Sequence, residues 1–121
     1  MSLSMILQLV VGLGLLNVWL LRAKSSTAYR GGSAASLKEE FDAYGLPDVA
    51  FYVVGGLKIV AGIALIAGVW MPSLVTPAAA VVAILMVGAI AMHVKVQDPP
   101  MKSLPAFLML VMSAALVYLN S

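Results

Sequence analysis

The chain contains no cysteine and little charge. With no cysteine among its 121 residues, disulfides, thiolate metal sites and C-x-x-C redox chemistry are excluded. Only 10% of the residues are charged and 63% are hydrophobic, whereas about a quarter of an ordinary soluble domain is charged. The mean hydropathy is +1.07, which excludes intrinsic disorder. A net charge of +2 does not indicate a nucleic-acid surface. The composition predicts a protein whose surroundings are the lipid bilayer, with no nucleic-acid partner.

Four apolar segments are long enough to cross that bilayer as helices. A hydrocarbon core of about 30 Å requires about 20 helical residues. We predict spanning helices at about 3–21, 47–70, 77–94 and 104–120, all within a single transmembrane domain, 1–121. The fold class is therefore all-α, an integral membrane four-helix bundle.

The first loop carries the pattern of one more, shorter helix. Its S-L-K-E motif at 36–39 fits a capping box, aromatic residues follow at helical spacing, and Gly45 supplies a stop. We predict a short amphipathic interfacial helix at about 37–44. Two arrangements remain open at this stage: the helix lies on the membrane interface, or it packs as a lid on the ends of the bundle.

The basic residues are concentrated in two of the three loops. Because cytoplasmic loops carry an excess of lysine and arginine, we expect loops 22–46 and 95–103 to be cytoplasmic and both termini to lie outside. The basic residues of these two loops are Arg22, Lys24, Arg30, Lys38, Lys95 and Lys102.

Lys58 is the charged residue predicted near the middle of a span. A lysine at that depth costs several kcal/mol, so it faces the protein interior and has a reason to be there. One interpretation is a ligand-anchoring or proton-handling group, with Gln8, Asn17 and Ser113 as further polar candidates at related depths. The alternative is a lysine that snorkels, or that bonds backbone groups and Gln8, without a further role.

Gly55 and Gly62 lie on nearly the same side of the second spanning helix. Small residues let another helix approach closely, so we predict that they form a helix-packing or partner interface.

His93 is the single histidine and is predicted at the cytoplasmic end of the third spanning helix. One imidazole without cysteine is poor evidence for a metal site, and no metal is predicted. Its proton chemistry suits a quinone or proton-relay site, while the alternative is that it caps its own helix or holds the neighbouring loop. In that loop, Lys95, Asp98 and Lys102 are predicted to brace a rigid turn or to contact lipid head groups or a partner.

Several segments of the chain resemble the DoxX-like family of small, mainly bacterial membrane proteins. The resemblance covers about residues 44–118, and its most specific part is the H-x-K-x-x-D-P segment at 93–99. The other matching segments are Y-G-L-P at 44–47, G-G-L-K at 55–58, A-G at 61–62 and K-S-L-P-A at 102–106.

The resemblance implies a compact four-helix membrane bundle in which Lys58 and His93 are recurring positions. It also implies a bacterial inner membrane. Members are associated by name with quinol oxidase, thiosulfate oxidation or thiol-redox systems, and animal relatives with receptor assembly. No common catalytic residue set carries over to this chain.

Two functions follow from these observations. No set of nucleophile, base and orienting residue can be assembled, which favours a non-enzymatic protein with no catalytic residues. The first hypothesis is a non-catalytic accessory subunit or assembly partner of a larger membrane complex, binding another membrane protein or its own copies. The alternative is a redox-coupled binder of a hydrophobic small molecule, a quinone or lipid, held in the bundle by Lys58 and His93.

Overall fold

The computed structural model describes residues 2–21 and 36–120, so the predicted positions of Arg22, Lys24 and Arg30 lie outside the described residues. Within these ranges the chain is helical and has no strand, and the all-α prediction is confirmed. The helices are α1 (Leu3–Leu16), α2 (Leu37–Ala43), α3 (Asp48–Ala67), α4 (Val75–Lys95) and α5 (Leu104–Asn120).

Short non-α turns extend three of these helices. A π-helical turn, Asn17–Leu21, follows α1, and 3₁₀ turns, Pro72–Leu74 and Pro100–Ser103, lead into α4 and α5. With these turns included, the described residues contain four helices that are long and apolar enough to cross a membrane: Leu3–Leu20, Asp48–Ala67, Pro72–Lys95 and Pro100–Asn120.

The observed bounds correct the predicted ones at two places. The third spanning helix begins at Val75 instead of residue 77, because Pro77 occupies the first turn, where an amide lacks a helical partner in any case. The second spanning helix ends at Ala67 instead of residue 70, and a hydrogen-bonded turn carries the chain to Pro72.

The spanning helices form a ring in the order α1, α3, α4, α5, in which each packs against the next and α5 returns to α1. Each helix contributes at least one fully buried side chain to the core, and these include Val11, Leu65, Val82 and Leu116. The outer faces carry large exposed hydrophobic side chains, such as Val60 at 66% and Ile84 at 71% exposed. Such a surface suits lipid, since apolar area is costly only where it meets water.

α1 and α3 approach closely through glycine. A Cβ atom added to Gly12 would lie 2.8 Å from the carbonyl oxygen of Gly62, and one added to Gly62 would lie 3.1 Å from that of Gly12. The ring of Trp19 covers Gly55, whose added Cβ would lie 2.5 Å from a ring carbon. The glycine face of α3 therefore packs against α1 of the same chain.

At one end of the bundle the polar side chains close the helix termini. We call this the terminal end and define it by Ser4, Gln8, Leu65 and Asn120. Asn120 Nδ2 donates to Ser4 Oγ at 2.9 Å, and Ser4 Oγ donates to Gln8 Oε1 at 3.1 Å. Gln8 Nε2 donates to the carbonyl oxygen of Leu65 at 3.1 Å. That oxygen belongs to the last turn of α3, where carbonyls lack helical partners, so Gln8 completes the end of the helix.

This position of Gln8 corrects its predicted depth. Gln8 bonds Leu65, which follows Lys58 by seven residues, or about 10 Å along a helix. Gln8 therefore lies towards the terminal end and does not share a level with Lys58.

Candidate functional site

The opposite end, which we call the loop end, is defined by α2 and by the segment 93–103. There the end of α4 brings His93 and Asp98 together. Gln97 adopts a left-handed conformation, with φ +58°, and the amide of Asp98 donates to the carbonyl of His93 at 2.9 Å. The amide of Gln97 donates to the carbonyl of Val94 at 3.0 Å, which completes a Schellman motif. This reversal directs the Asp98 side chain back onto the imidazole.

The His93 and Asp98 side chains form a buried hydrogen-bonded pair. Nδ1 of His93 lies 2.8 Å from Oδ2 of Asp98, and the two side chains are 6% and 5% exposed. Lys102 Nζ lies 3.7 Å from Oδ1 of the same carboxyl group. The Asp98 side chain is therefore buried at the end of the bundle, where it bonds His93 and also lies near Lys102.

The end of α2 supplies the third member of this group, Tyr44. Gly45, with φ +75°, stops α2, as the sequence predicted, and Tyr44 immediately before it is buried. The Tyr44 hydroxyl lies 3.5 Å from Nε2 of His93, at the long limit of a hydrogen bond. Lys95 Nζ donates to the Tyr44 carbonyl at 2.9 Å and ties the two loops together.

These contacts define a consistent order of donors and acceptors. If Nδ1 of a neutral His93 carries the proton and donates to Asp98, Nε2 is the acceptor that faces the Tyr44 hydroxyl. We call this arrangement the Tyr44–His93–Asp98 chain. It can hold or pass one proton between a phenol, an imidazole and a carboxyl group.

An open groove lies beside this chain, between α4 and α5. Its volume is about 360 Å³. Asp98 stands at its polar side, and most of the other lining residues are apolar. The lining residues are Ile90, Val94, Asp98, Pro100, Ser103, Leu104 and Phe107.

Lys58 belongs to a different cluster, formed by Trp19, Phe41 and Phe51. Its ammonium nitrogen lies 5.3 Å from the centre of a Trp19 ring, a cation–π distance. Trp19 contacts the rings of Phe41 and Phe51 at 6.0 and 5.4 Å between centroids. α2 therefore packs its aromatic side against Trp19 and the start of α3.

The remaining predicted polar candidates do not join either cluster. The Ser113 hydroxyl is buried and donates to the carbonyl of Met109 in its own helix. Asn17 begins the π-helical turn and is exposed. Of the predicted candidates, the structure brings together His93, Lys95, Asp98 and Lys102, and Tyr44 is the member that the sequence analysis did not select.

One signal for Tyr44 was present in the sequence. Tyr44 comes directly before Gly45, which ends the helix. The chain reversal at Gly45 sets the direction of the residue before it. Among residues 2–21 and 36–120, no group of three or more histidine or acidic side chains is arranged to hold a metal ion.

Four long apolar helices in one ring, closed by polar bonds at one end and by two chain reversals at the other, define a multi-pass integral membrane protein. The model of the DoxX-like family matches residues 14–116, and the chain belongs to this family. The match reaches into the first spanning helix, beyond the segments on which the resemblance was based. Comparisons with curated proteins and with solved structures gave no match.

Proposed function

We propose that this DoxX-like protein binds a hydrophobic small molecule, a quinone or lipid, at the loop end. The observation that carries the proposal is the apolar groove beside the buried Asp98. Ligand sites are typically apolar concavities with a few convergent polar groups, and their volumes begin at about 300 Å³. A tail would lie along the groove and a head group would reach the carboxyl group of Asp98.

The Tyr44–His93–Asp98 chain supports a proton-handling role at that head group. Each of its members can donate or accept a proton, and the imidazole in the middle has one ring nitrogen towards each of the other two groups. Proton transfer at the head group is the step through which ligand binding would couple to redox chemistry. In this proposal His93 takes the proton-relay role, one of the two that the sequence left open, whereas Lys58 lies over the ring of Trp19.

The binding proposal is tested by filling the groove from the outside. Val94 lines the groove and is 70% exposed, so Val94→Trp fills it without touching the core. Val87, one heptad earlier on α4 and 55% exposed, does not line the groove, and Val87→Trp is the matched control. Protein purified in native nanodiscs is extracted with solvent and its bound molecules are measured by mass spectrometry.

We expect a co-purifying quinone or lipid to fall several-fold in Val94→Trp and to remain in Val87→Trp. Lys58→Met is expected to retain it as well. Equal content in Val94→Trp and the unmodified protein would overturn the proposal.

A second candidate function is that of an accessory subunit or assembly partner, in contact with another membrane protein or a second copy. It is favoured by Gly88 on the outer face of α4, where an added Cβ would meet nothing within 4 Å. Exposed small residues allow a foreign helix to approach closely. Because the chain has no cysteine, Gly88→Cys introduces a unique thiol for crosslinking in native membranes. Val111→Cys, at an exposed position on α5, is the control. A monomer with no crosslink at Gly88→Cys would contradict this function.

We also propose that the loop end faces the cytoplasm, since its basic residues favour that side. Lys38→Cys and Ser73→Cys place single thiols at exposed positions on opposite ends. A membrane-impermeant maleimide applied to intact cells should label Ser73→Cys and not Lys38→Cys. Labelling of Lys38→Cys alone would reverse the orientation.

A further inference from the structure

The groove between α4 and α5 has an unusual balance of polar groups. Five of its seven lining residues are apolar, and its charged member is Asp98. None of the described lining residues is basic, although Lys102 Nζ lies 3.7 Å from Oδ1 of the same carboxyl group. A ligand in the groove therefore meets an acid and not a base.

The surroundings of Asp98 make it a hydrogen-bond acceptor. His93 Nδ1 at 2.8 Å and Lys102 Nζ both direct donors towards its oxygens, which favours the carboxylate form. A carboxylate only accepts hydrogen bonds, and it can accept several at once. Its position is also fixed through the backbone, because its own amide bonds the carbonyl of His93.

An acceptor at the head of an apolar groove distinguishes between ligands that otherwise have the same shape. A head group with a hydroxyl donates a further hydrogen bond to the carboxylate, whereas a carbonyl or ether oxygen that faces Asp98 brings two acceptors together and gains no hydrogen bond from it. Phe107 adds an aromatic ring to the lining, which favours a flat head group over a branched one.

We infer that the groove selects a long-tailed ligand whose aromatic head group bears a free hydroxyl, a phenol or quinol, over the same molecule without the hydroxyl. This inference rests on the proposed binding function and adds the chemistry of the head group. The hydroxyl donates to Asp98, His93 holds the carboxylate in place from behind, and the tail runs between Val94 and Leu104 towards the bilayer.

The test uses two photoreactive probes that differ only in the donor. One is an alkylphenol with a diazirine in its tail, and the other is its methyl ether. Each is added to the full chain in nanodiscs and irradiated, and the labelled residues are located and quantified by mass spectrometry. Neither probe is oxidised or reduced in the assay, so the comparison measures recognition of the hydroxyl group alone.

We expect the phenol to label the groove about tenfold more than the ether, the ratio that corresponds to one hydrogen bond to a charged group. Asp98→Asn retains the size of the side chain but adds an amide donor, so it should bring the ratio near one. Asp42→Asn, which alters an exposed acid of α2 at the same end, should leave the ratio unchanged.

The possible outcomes separate this inference from the function on which it rests. If both probes label the groove equally and Val94→Trp abolishes both, the hydroxyl preference is wrong and the binding function stands. If neither probe labels the groove, both are wrong. The comparison of phenol with ether on the unmodified chain decides the question even if Asp98→Asn fails to fold.

Discussion

The two ends of the bundle both bury polar side chains, but they use them differently. At the terminal end, Gln8 donates to an otherwise unpartnered carbonyl of α3, and its bonds complete a helix. At the loop end, His93 and Asp98 bond each other, stand next to Tyr44 and adjoin an open groove. Burial of a polar group therefore does not by itself mark a site. The distinguishing feature is a partner that is itself ionisable and lies beside space for a ligand.

The largest effect should come from removing the imidazole at the loop end. His93→Leu deprives the buried Asp98 of its 2.8 Å donor, and taking the donor away from a buried charged acceptor costs about 3 kcal/mol. We expect a loss of about 3 kcal/mol in the free energy of unfolding, measured by titration with dodecyl sulfate in mixed micelles.

The double variant His93→Leu/Asp98→Leu checks the cause of that loss. Since it removes the charge together with its partner, it should recover much of the stability while still lacking bound ligand. A double variant less stable than His93→Leu would show that the pair is not the source of the effect.

An intermediate effect is expected between the ends, at Gly55. A methyl group there would lie 2.5 Å from Trp19, so the indole must move away from Lys58 and Phe41. Overpacking of this kind typically costs about 1–3 kcal/mol. Tryptophan emission should shift, and α2 should become more accessible to protease, while the terminal end is unaffected.

The neighbouring glycine is the matched control for this substitution. A Cβ added to Gly56 meets nothing within 4 Å, so Gly56→Ala should be neutral or slightly stabilising. Equal melting temperatures for Gly55→Ala and Gly56→Ala would mean that Trp19 does not pack as described.

The smallest effect is expected at the terminal end. Gln8→Leu removes a neutral donor and leaves the carbonyl oxygen of Leu65 without this hydrogen bond. We expect a loss of about 1 kcal/mol in the free energy of unfolding, with no change in bound ligand. If Gln8→Leu lost its ligand while its stability stayed normal, the terminal end would also contribute to ligand binding. The distinction between a structural end and a ligand-binding end would then be wrong.

The fold could be predicted from the sequence much further than the site. Runs of apolar residues and the proline breaks locate the four spans, because each span is specified locally by length and composition. Contacts across the bundle have no such local signal. Lys58 and Gln8 were assigned similar depths by counting along separate helices, yet α1 carries Gln8 to the last turn of α3.

The same limit explains why Asp98 and Tyr44 were not joined to His93. Asp98 follows the helix in sequence, and only the left-handed backbone of Gln97 turns it back to the imidazole. Glutamine gives no strong signal for that conformation, whereas Gly45 does at the end of α2. The partner of a ring nitrogen 49 positions away is a matter of packing and not of local pattern.

The reversal at the end of α4 has a consequence for comparing distant sequences. A main-chain hydrogen bond and a side-chain hydrogen bond both join residue 93 to residue 98. The number of residues between them is therefore fixed at four. One inserted or deleted residue would break both bonds together. In chains that retain this histidine and aspartate, the interval should stay constant while the flanking loops vary, which makes it a landmark for alignment.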